Sequence, residues 1–404
     1  MPDLDTSLHE LRDDLRRTLT RPDLSHVADR ARQRTVRRRM QLGAIVAVVL
    51  VSAAVPALRL VQSDSQPPAQ PPAAPAPYTV DFADADHGYA FQQHCEDNDG
   101  PCVFALRATD DGARTWRRVS LPESRETFVR GMVSVMSPKG LGFSRAKPGL
   151  VGEVEQFVSD DGGRTWHDRD VEHQESPTLI PARSQTVPMC VSRTSDNVCV
   201  IGVGMLTPLA KAAPVLTQPP IDDPWPGTTA TEGGLYWAAG RERTTGTWSV
   251  SVTSDYGATW ATTPLDFKGL PSLQVDGAWS MTERGSDMYL TVVGNVGVGP
   301  TELLAVFRST DKGVSWARTW QSTEKHELQA VTGDAVLTAD GELLVYSRVV
   351  GTVASSDGGR TFAKARHQFP GPVRWTRAGY LVTGSNNAFE LSGDGLTWRR
   401  FEVR

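Results

Sequence analysis

Ser159-Asp-Asp-Gly-Gly-Arg-Thr-Trp166 is one of six related octapeptides in this chain. The others are Thr109-Asp-Asp-Gly-Ala-Arg-Thr-Trp116, Thr253-Ser-Asp-Tyr-Gly-Ala-Thr-Trp260, Ser309-Thr-Asp-Lys-Gly-Val-Ser-Trp316, Ser355-Ser-Asp-Gly-Gly-Arg-Thr-Phe362 and Leu391-Ser-Gly-Asp-Gly-Leu-Thr-Trp398. The shared pattern is a hydroxyl residue, then Asp, Gly, a second hydroxyl and an aromatic. Four copies carry it in full, through Asp161, Gly163 and Trp166; Asp255, Gly257 and Trp260; Asp311, Gly313 and Trp316; and Asp357, Gly359 and Phe362. The first copy keeps Asp111 and Trp116 but has Ala113 in the glycine slot, beside Gly112. The last keeps Gly395 and Trp398, with its acid displaced to Asp394.

Each position has a physical task. A carboxylate at the third place accepts backbone N–H groups across a tight hairpin. The glycine supplies a positive φ that side chains resist. The second hydroxyl bonds back to the carboxylate. The aromatic opens the next strand and packs into the sheet. The flanks agree, since Cys102-Val-Phe-Ala-Leu-Arg-Ala and Thr301-Glu-Leu-Leu-Ala-Val-Phe-Arg read as strands running into a turn.

Spacing sets the architecture. The first five acids, Asp111, Asp161, Asp255, Asp311 and Asp357, are 50, 94, 56 and 46 residues apart. The gap of 94 holds two repeats, so one unit lacks its octapeptide. Tyr78 to Arg404 spans 327 residues, about 47 for each of seven four-stranded units. The expected fold is an all-β, seven-bladed β-propeller, with six blades plus an insertion as the alternative. The expected blades are 78–121, 130–172, 185–222, 230–266, 272–321, 327–366 and 371–404. Because the last strand ends the chain, two arrangements stand for the seam: a weakly closed ring, or a strand near Thr79-Val-Asp-Phe82 pairing with the last blade.

These octapeptides resemble the Asp-box (BNR) repeat of sialidase-like β-propellers. That likeness implies that each one turns between the third and outermost strands of a blade. Active members resemble one another in an arginine triad, an Arg-Ile-Pro motif, a Tyr–Glu nucleophile pair and an acid Asp. No Arg-Ile-Pro occurs here, and no Arg lies between Arg59 and Arg107. Tyr236 and Glu232 are close, but not in the family's pattern. No catalytic residue carries over, and the expected protein is non-catalytic.

What precedes the propeller has a different composition. Residues 1–39 hold 10 Arg and no Lys against 7 acids, a net +3, while the remainder holds 32 basic against 40 acidic residues. Leu4, Leu8, Leu11, Leu15 and Leu19 share one helical face, and Ser7 with Glu10 forms a capping box. This helix either docks a cytoplasmic partner, lies on the membrane surface or packs on itself. Met40 to Leu58 has no charge over nineteen residues, about 28 Å of helix. Arg37, Arg38 and Arg39 precede it, which places the N-terminus inside and the propeller outside the cell membrane. Its start at residue 40 favours an uncleaved signal anchor over a cleaved signal peptide. The expected division is a cytoplasmic tail at 1–39, an anchor at 40–61, a Pro-rich linker at 62–77 and the propeller at 78–404. Residues 63–77 read SDSQPPAQPPAAPAP, a polyproline spacer of about 45 Å.

Four Cys permit three pairings, and short loops favour Cys95 with Cys102 and Cys190 with Cys199, bridges suited to an oxidising compartment. Zinc would need His or Cys clustering, and only His94 beside Cys95 suggests it. Asp97-Asn98-Asp99-Gly100 opens like a calcium loop but lacks the closing Glu, so no metal is expected. No cofactor is expected either, since no Gly-rich phosphate loop and no GxSxG occurs. The net charge of −5 gives nucleic acid no footing as a partner.

Binding remains. Propellers offer ligands the face opposite the octapeptides or the central channel. Leu206 to Thr231 is Pro-rich and carries Trp225. Trp225 is a candidate contact for a protein or glycan ligand, or else a plug at a blade edge. Trp237 and Arg241 are further candidates, although Arg241-Glu242-Arg243 also reads as a solvated turn. The expected function is a membrane-anchored, extracytoplasmic binding or scaffolding module. The alternatives are a divergent cell-surface glycosidase and a transmembrane sensor.

Overall fold

The computed structural model describes residues 77–403, apart from 96–101, 123–127, 129, 147–153, 169–179, 181–183, 194–198, 207–212, 215–216, 228, 271–278, 296–300 and 324–327. The expected tail, anchor and nearly all of the linker lie outside the described residues, as does Asp97-Asn98-Asp99-Gly100. Among the described residues there is no helix, and none long and apolar enough to cross a membrane.

The described residues form seven antiparallel sheets, each built from strands consecutive in sequence. Sheet one holds β1 (Tyr78–Phe82), β2 (Gly88–Cys95), β3 (Cys102–Thr109) and β4 (Arg117–Val119). Sheet two holds β5 (Arg130–Val135), β6 (Leu141–Ala146), β7 (Val154–Ser159) and β8 (His167–Asp168). Sheet three holds β9 (Gln185–Arg193), β10 (Cys199–Leu206) and β11 (Ala213–Pro214). Sheet four holds β12 (Ile221–Pro226), β13 (Tyr236–Glu242), β14 (Trp248–Thr253) and β15 (Ala261–Pro264). Sheet five holds β16 (Trp279–Arg284), β17 (Asp287–Asn295), β18 (Thr301–Ser309) and β19 (Ala317–Gln321). Sheet six holds β20 (Val336–Leu337), β21 (Leu343–Ser347), β22 (Gly351–Ser355) and β23 (Ala363–Lys364). Sheet seven holds β24 (Val373–Thr376), β25 (Gly379–Thr383), β26 (Ala388–Ser392) and β27 (Arg399–Glu402).

Among the described residues, consecutive sheets pack face to face at six of the seven junctions, which makes them blades of a β-propeller. Tyr89, Phe91 and Leu106 of blade one meet Val135, Leu141 and Phe143 of blade two. Val203 and Met205 of blade three meet Tyr236 and Ala238 of blade four. Trp237 and Val250 then meet Trp279, Leu290 and Phe307 of blade five. Tyr289 and Val306 meet Leu337 and Leu343 of blade six, and Val336 and Leu344 meet Val373 and Tyr380 of blade seven. Between blades two and three, the Gln185 side-chain amide donates to the Val135 carbonyl at 3.4 Å. A blade covered on both faces needs apolar residues on both faces of its middle strands. Accordingly, Met288 to Gly294 of β17 and Glu302 to Phe307 of β18 are all buried. The outermost strands β8 and β23 are exposed throughout.

The seam between blades seven and one closes without strand exchange. Thr79 to Phe82 pairs with β2, not with the last blade. Val80, Phe82 and Ala90 instead pack on Leu381, Phe389 and Phe401. The Phe82 and Phe401 rings meet edge to face at 5.5 Å, a favourable aromatic geometry. The Asn387 side chain accepts the Tyr78 N–H at 2.9 Å, and the Arg399 guanidinium donates to the Ala85 carbonyl at 3.1 Å. The closure is therefore an ordinary blade interface.

Two boundaries differ from the sequence reading. Blade four begins at Ile221 rather than at 230. Asp222-Asp-Pro-Trp225-Pro226 is its first strand and not a loop, with a register shift between Asp222 and Trp225 that accommodates the proline. Consequently β9, β10 and β11 occupy the second to fourth places of blade three. One bond fixes this. The Trp166 indole donates to the Ser120 carbonyl just beyond β4 of the preceding blade, at 2.8 Å. The Trp260 indole makes the same bond to the Thr217 carbonyl beyond β11, at 2.7 Å.

Candidate functional site

The six repeated turns join the third and fourth strands of their blades. In the Ser159–Trp166 turn, the Asp161 carboxylate accepts the Arg164 and Thr165 N–H groups at 2.9 Å and the Thr165 hydroxyl at 2.6 Å. The opening hydroxyl has a task that composition does not reveal. Ser159 Oγ donates to Asp161 and accepts the Gly163 N–H at 2.8 Å. At the first turn Ala113 adopts φ +66° itself, which a non-glycine residue tolerates at some cost. The last turn is one residue shorter than the others. Ser392, Asp394 and Gly395 take the three polar places, so the acid is not displaced from its hydroxyl.

These carboxylates are held in the ionised form. Hydrogen bonds from Thr115, Thr259 and Ser315 lower Asp111, Asp255 and Asp311 to about 2, and the Thr397 N–H does the same for Asp394. Thr165 and Thr361 push Asp161 and Asp357 lower still. An acid that is always charged and saturated with local donors is a turn clamp, not a proton donor.

The first turn of a blade lies on the same side of the ring as the repeated turns. The Gly112 N–H donates to the Asp86 carbonyl and the Gly162 N–H to the Lys139 carbonyl, both at 2.8 Å. On this turn face, at the mouth of the central channel, blades three, four and seven enclose a cavity of about 330 Å³. Its lining includes Ser184, Thr229, Glu232, Tyr236, Trp375 and Arg377.

Local sequence explains how each wall is held. In blade four, Thr231 closes the turn by accepting the Leu235 N–H on its hydroxyl, and it donates that hydroxyl to the buried Glu283 carboxylate. A Cβ at Gly233 would come within 2.2 Å of Glu283 Oε1, so the Glu283 carboxylate would have to shift to admit one. Glu232 reaches Arg284 at 3.5 Å. In blade seven the chain reverses at Trp375-Thr376-Arg377-Ala378-Gly379, where Gly379 has φ +114° and a Cβ would lie 2.3 Å from the Ser392 carbonyl. The Trp375 indole N–H crosses the channel to the Ala230 carbonyl at 3.1 Å. Arg377 donates to the carbonyls of Met136, Val135 and Ser184, joining blade seven to blades two and three. The Tyr236 phenol donates to the Ser184 carbonyl at 3.5 Å, and burial pushes its pKa up. Ser184 Oγ and Thr229 Oγ1 are buried in the same wall with no hydrogen-bond partner.

The residues expected to bind ligand are not assembled in one place. Trp237 is core, 4% exposed between blades four and five. Trp225 sits on the first strand of blade four, 47% exposed. Arg241 lies beyond it on β13, its guanidinium 4.6 Å over the Trp248 ring and bonded to the Gly246 carbonyl. Arg243 pairs with Asp222 at 3.0 Å and Glu242 accepts the hydroxyls of Thr244 and Thr245, so this hairpin is the solvated turn. Glu232 and Tyr236 do come together, with Arg377, Trp375 and Ser184 from distant segments. A bridge joins Cys95 and Cys102 across the β2–β3 hairpin. Cys190 and Cys199 lie on β9 and β10, but their side chains are outside the described residues. No group of three or more metal-ligating side chains occurs among the described residues.

No protein-family model matches the chain. No curated protein matches it. Solved structures similar to it include YCF48 bound to a D1 peptide, at 14% identity and TM-score 0.40, covering 82% of this chain and 96% of that one. A GH74 enzyme from Niastella koreensis is similar at 13% identity and TM-score 0.35, covering 80% and 64%. YCF48 from Cyanidioschyzon merolae is similar at 14% identity and TM-score 0.31, covering 81% and 86%.

Proposed function

We propose that this protein is an Asp-box propeller of the sialidase-like type that works as a binding or scaffolding module for a protein or glycan ligand. It is held outside the cell membrane by one uncleaved signal anchor, with its N-terminus in the cytoplasm. Arg37, Arg38 and Arg39 ahead of the uncharged stretch 40–58 support the orientation. The Cys95–Cys102 bridge supports an oxidising compartment.

One observation carries the binding reading. The channel-mouth cavity has a phenol, a carboxylate and a guanidinium, but they are not wired for hydrolysis. A nucleophilic Tyr needs its proton removed by a neighbouring base. Here burial keeps the Tyr236 proton in place, and the phenol donates to a main-chain carbonyl. Arg377, which would grip a substrate carboxylate, is bonded to main-chain carbonyls. What remains is a rigid, polar concavity.

A glycosidase is the second reading, favoured by Glu232 and Tyr236 lining one cavity. The full chain assayed on fluorogenic glycosides, sialosides included, decides between them. The binding reading expects no turnover. Turnover abolished by Glu232→Gln would replace it with the enzyme.

A further inference from the structure

We propose that the channel-mouth cavity on the turn face binds an uncharged sugar ring at the end of a glycan. The inference rests on the reading of this protein as a binding module and names the ligand class. A volume of about 330 Å³ is at the small end of pockets that enclose an organic ligand.

The wall chemistry selects among such ligands. Ser184 is 1% exposed, and neither its hydroxyl nor that of Thr229 has a partner. A buried hydroxyl without a bond costs about 1–3 kcal/mol, so it persists where something offsets it. Both oxygens are sealed from water, and one staggered χ1 change turns a Ser or Thr hydroxyl by about 120°. A hydroxyl both donates and accepts, and so does each hydroxyl of a sugar. The Glu232 carboxylate adds acceptors and the Tyr236 oxygen adds another. The Trp375 indole also lines the wall, its N–H already taken by Ala230. The negative π-face of such a ring receives the polarised C–H groups of a sugar.

Charge sets the remaining choice. Glu232 lies 3.5 Å from Arg284, whose Nε and Nη2 make no hydrogen bond but which is not among the residues lining the cavity. Arg377 has its donors on the carbonyls of three residues in blades two and three. Among the described residues that line the cavity, no guanidinium fork is open to pair with a carboxylate, which an acidic sugar would require. A peptide strand would want an open sheet edge or a groove, whereas this wall is a compact cup. The rim is held in advance by the Trp375 and Arg377 bonds, so only the two hydroxyls turn when a ligand enters.

The test applies the full chain to a printed array of neutral hexoses, N-acetylhexosamines, uronic acids and sialosides. Retention on neutral glycans is expected. Thr229→Val should weaken it about ten-fold, the loss of one hydrogen bond, while Thr229→Ser retains it. Ser184→Ala provides a second variant should Thr229→Val unfold, and thermal melts identify folded samples. Retention on acidic glycans alone, or retention indifferent to folded Thr229→Val and Ser184→Ala proteins, overturns the proposal. A parallel arm places a photoreactive residue at Glu232 on cells. If no glycan is held but one defined protein is trapped, the sugar class falls and the binding module stands. If neither is found, both fall.

Discussion

The guanidinium of Arg377 donates to the main-chain carbonyl of Ser184 at 3.1 Å, across 193 residues of sequence. The same side chain reaches the Met136 carbonyl in blade two. Blades two, three and seven therefore meet at one planar cation. Arg377→Ala removes these bonds and leaves the Ser184 carbonyl only the 3.5 Å bond from the Tyr236 phenol, and a loss of about 2–3 kcal/mol is expected from urea unfolding. Arg377→Lys should recover little, because a compact ammonium cannot fork between separate acceptors.

The six turn carboxylates predict an acid limit. Their folded pKa values are at or below about 2, under the ordinary carboxylate value. A depressed folded pKa favours folding above the unfolded value near 4, and that support is lost as pH falls through the folded pKa. The melting temperature should therefore hold above about pH 5 and decline steadily between about pH 4 and 2. Asp161→Asn and Asp357→Asn together should flatten that decline. Thermal melts across this range provide the measurement, and a decline of unchanged steepness in the double variant would contradict the assignment.

Gly163 serves two purposes at once. Its φ is +81°, and an added Cβ would lie 2.4 Å from Val119 Cγ1 in the preceding blade. Gly163→Ala should cost about 2–4 kcal/mol, combining a left-handed alanine with overpacking. Gly246→Ala is the control, since that position has φ +67° but open space. It should cost only the backbone share, about 1–2 kcal/mol.

The Cys95–Cys102 bridge closes a short loop, with a sequence separation of 7. Loop-closure entropy for such a ring is about 2 kcal/mol. Reducing agent or Cys95→Ser should lower denaturant stability by about that amount while the blade itself persists by circular dichroism.

Phe401 packs against Phe82, Phe389 and Trp116 at the seam. Phe401→Ala should cost about 3–5 kcal/mol. Because no strand is exchanged across the seam, hydrogen exchange should rise in β1 and β27 before it rises in β17 and β18.

The propeller was legible in the octapeptides, since a turn encoded within eight residues repeats wherever the local bonds repeat. Blade count followed from spacing, including the blade without the motif. The register of the last turn was not legible. Deleting one residue between Asp394 and Gly395 preserves the Ser392–Asp394 bond, a difference that a fixed template reads as a displaced acid. The start of blade four is not legible either, because Asp222-Asp-Pro-Trp225-Pro226 has turn composition yet pairs with β13 around a bulge. Trp237, a binding candidate by sequence, is core because neighbouring blades cover both faces of β13, and nothing local to Trp237 encodes that.

By itself the sequence determined the unit of this fold. Each carboxylate, hydroxyl and glycine finds its partner within four residues, so the turn forms from local bonds whatever surrounds it. Only the tertiary structure decided the cavity. Ser184, Thr229, Trp375 and Arg377 belong to three blades, and nothing near any of them in sequence marks it. They meet because seven twisted sheets, packed face to face, close a circle and point their first turns at its centre. That convergence is a property of the ring and is written in no single repeat.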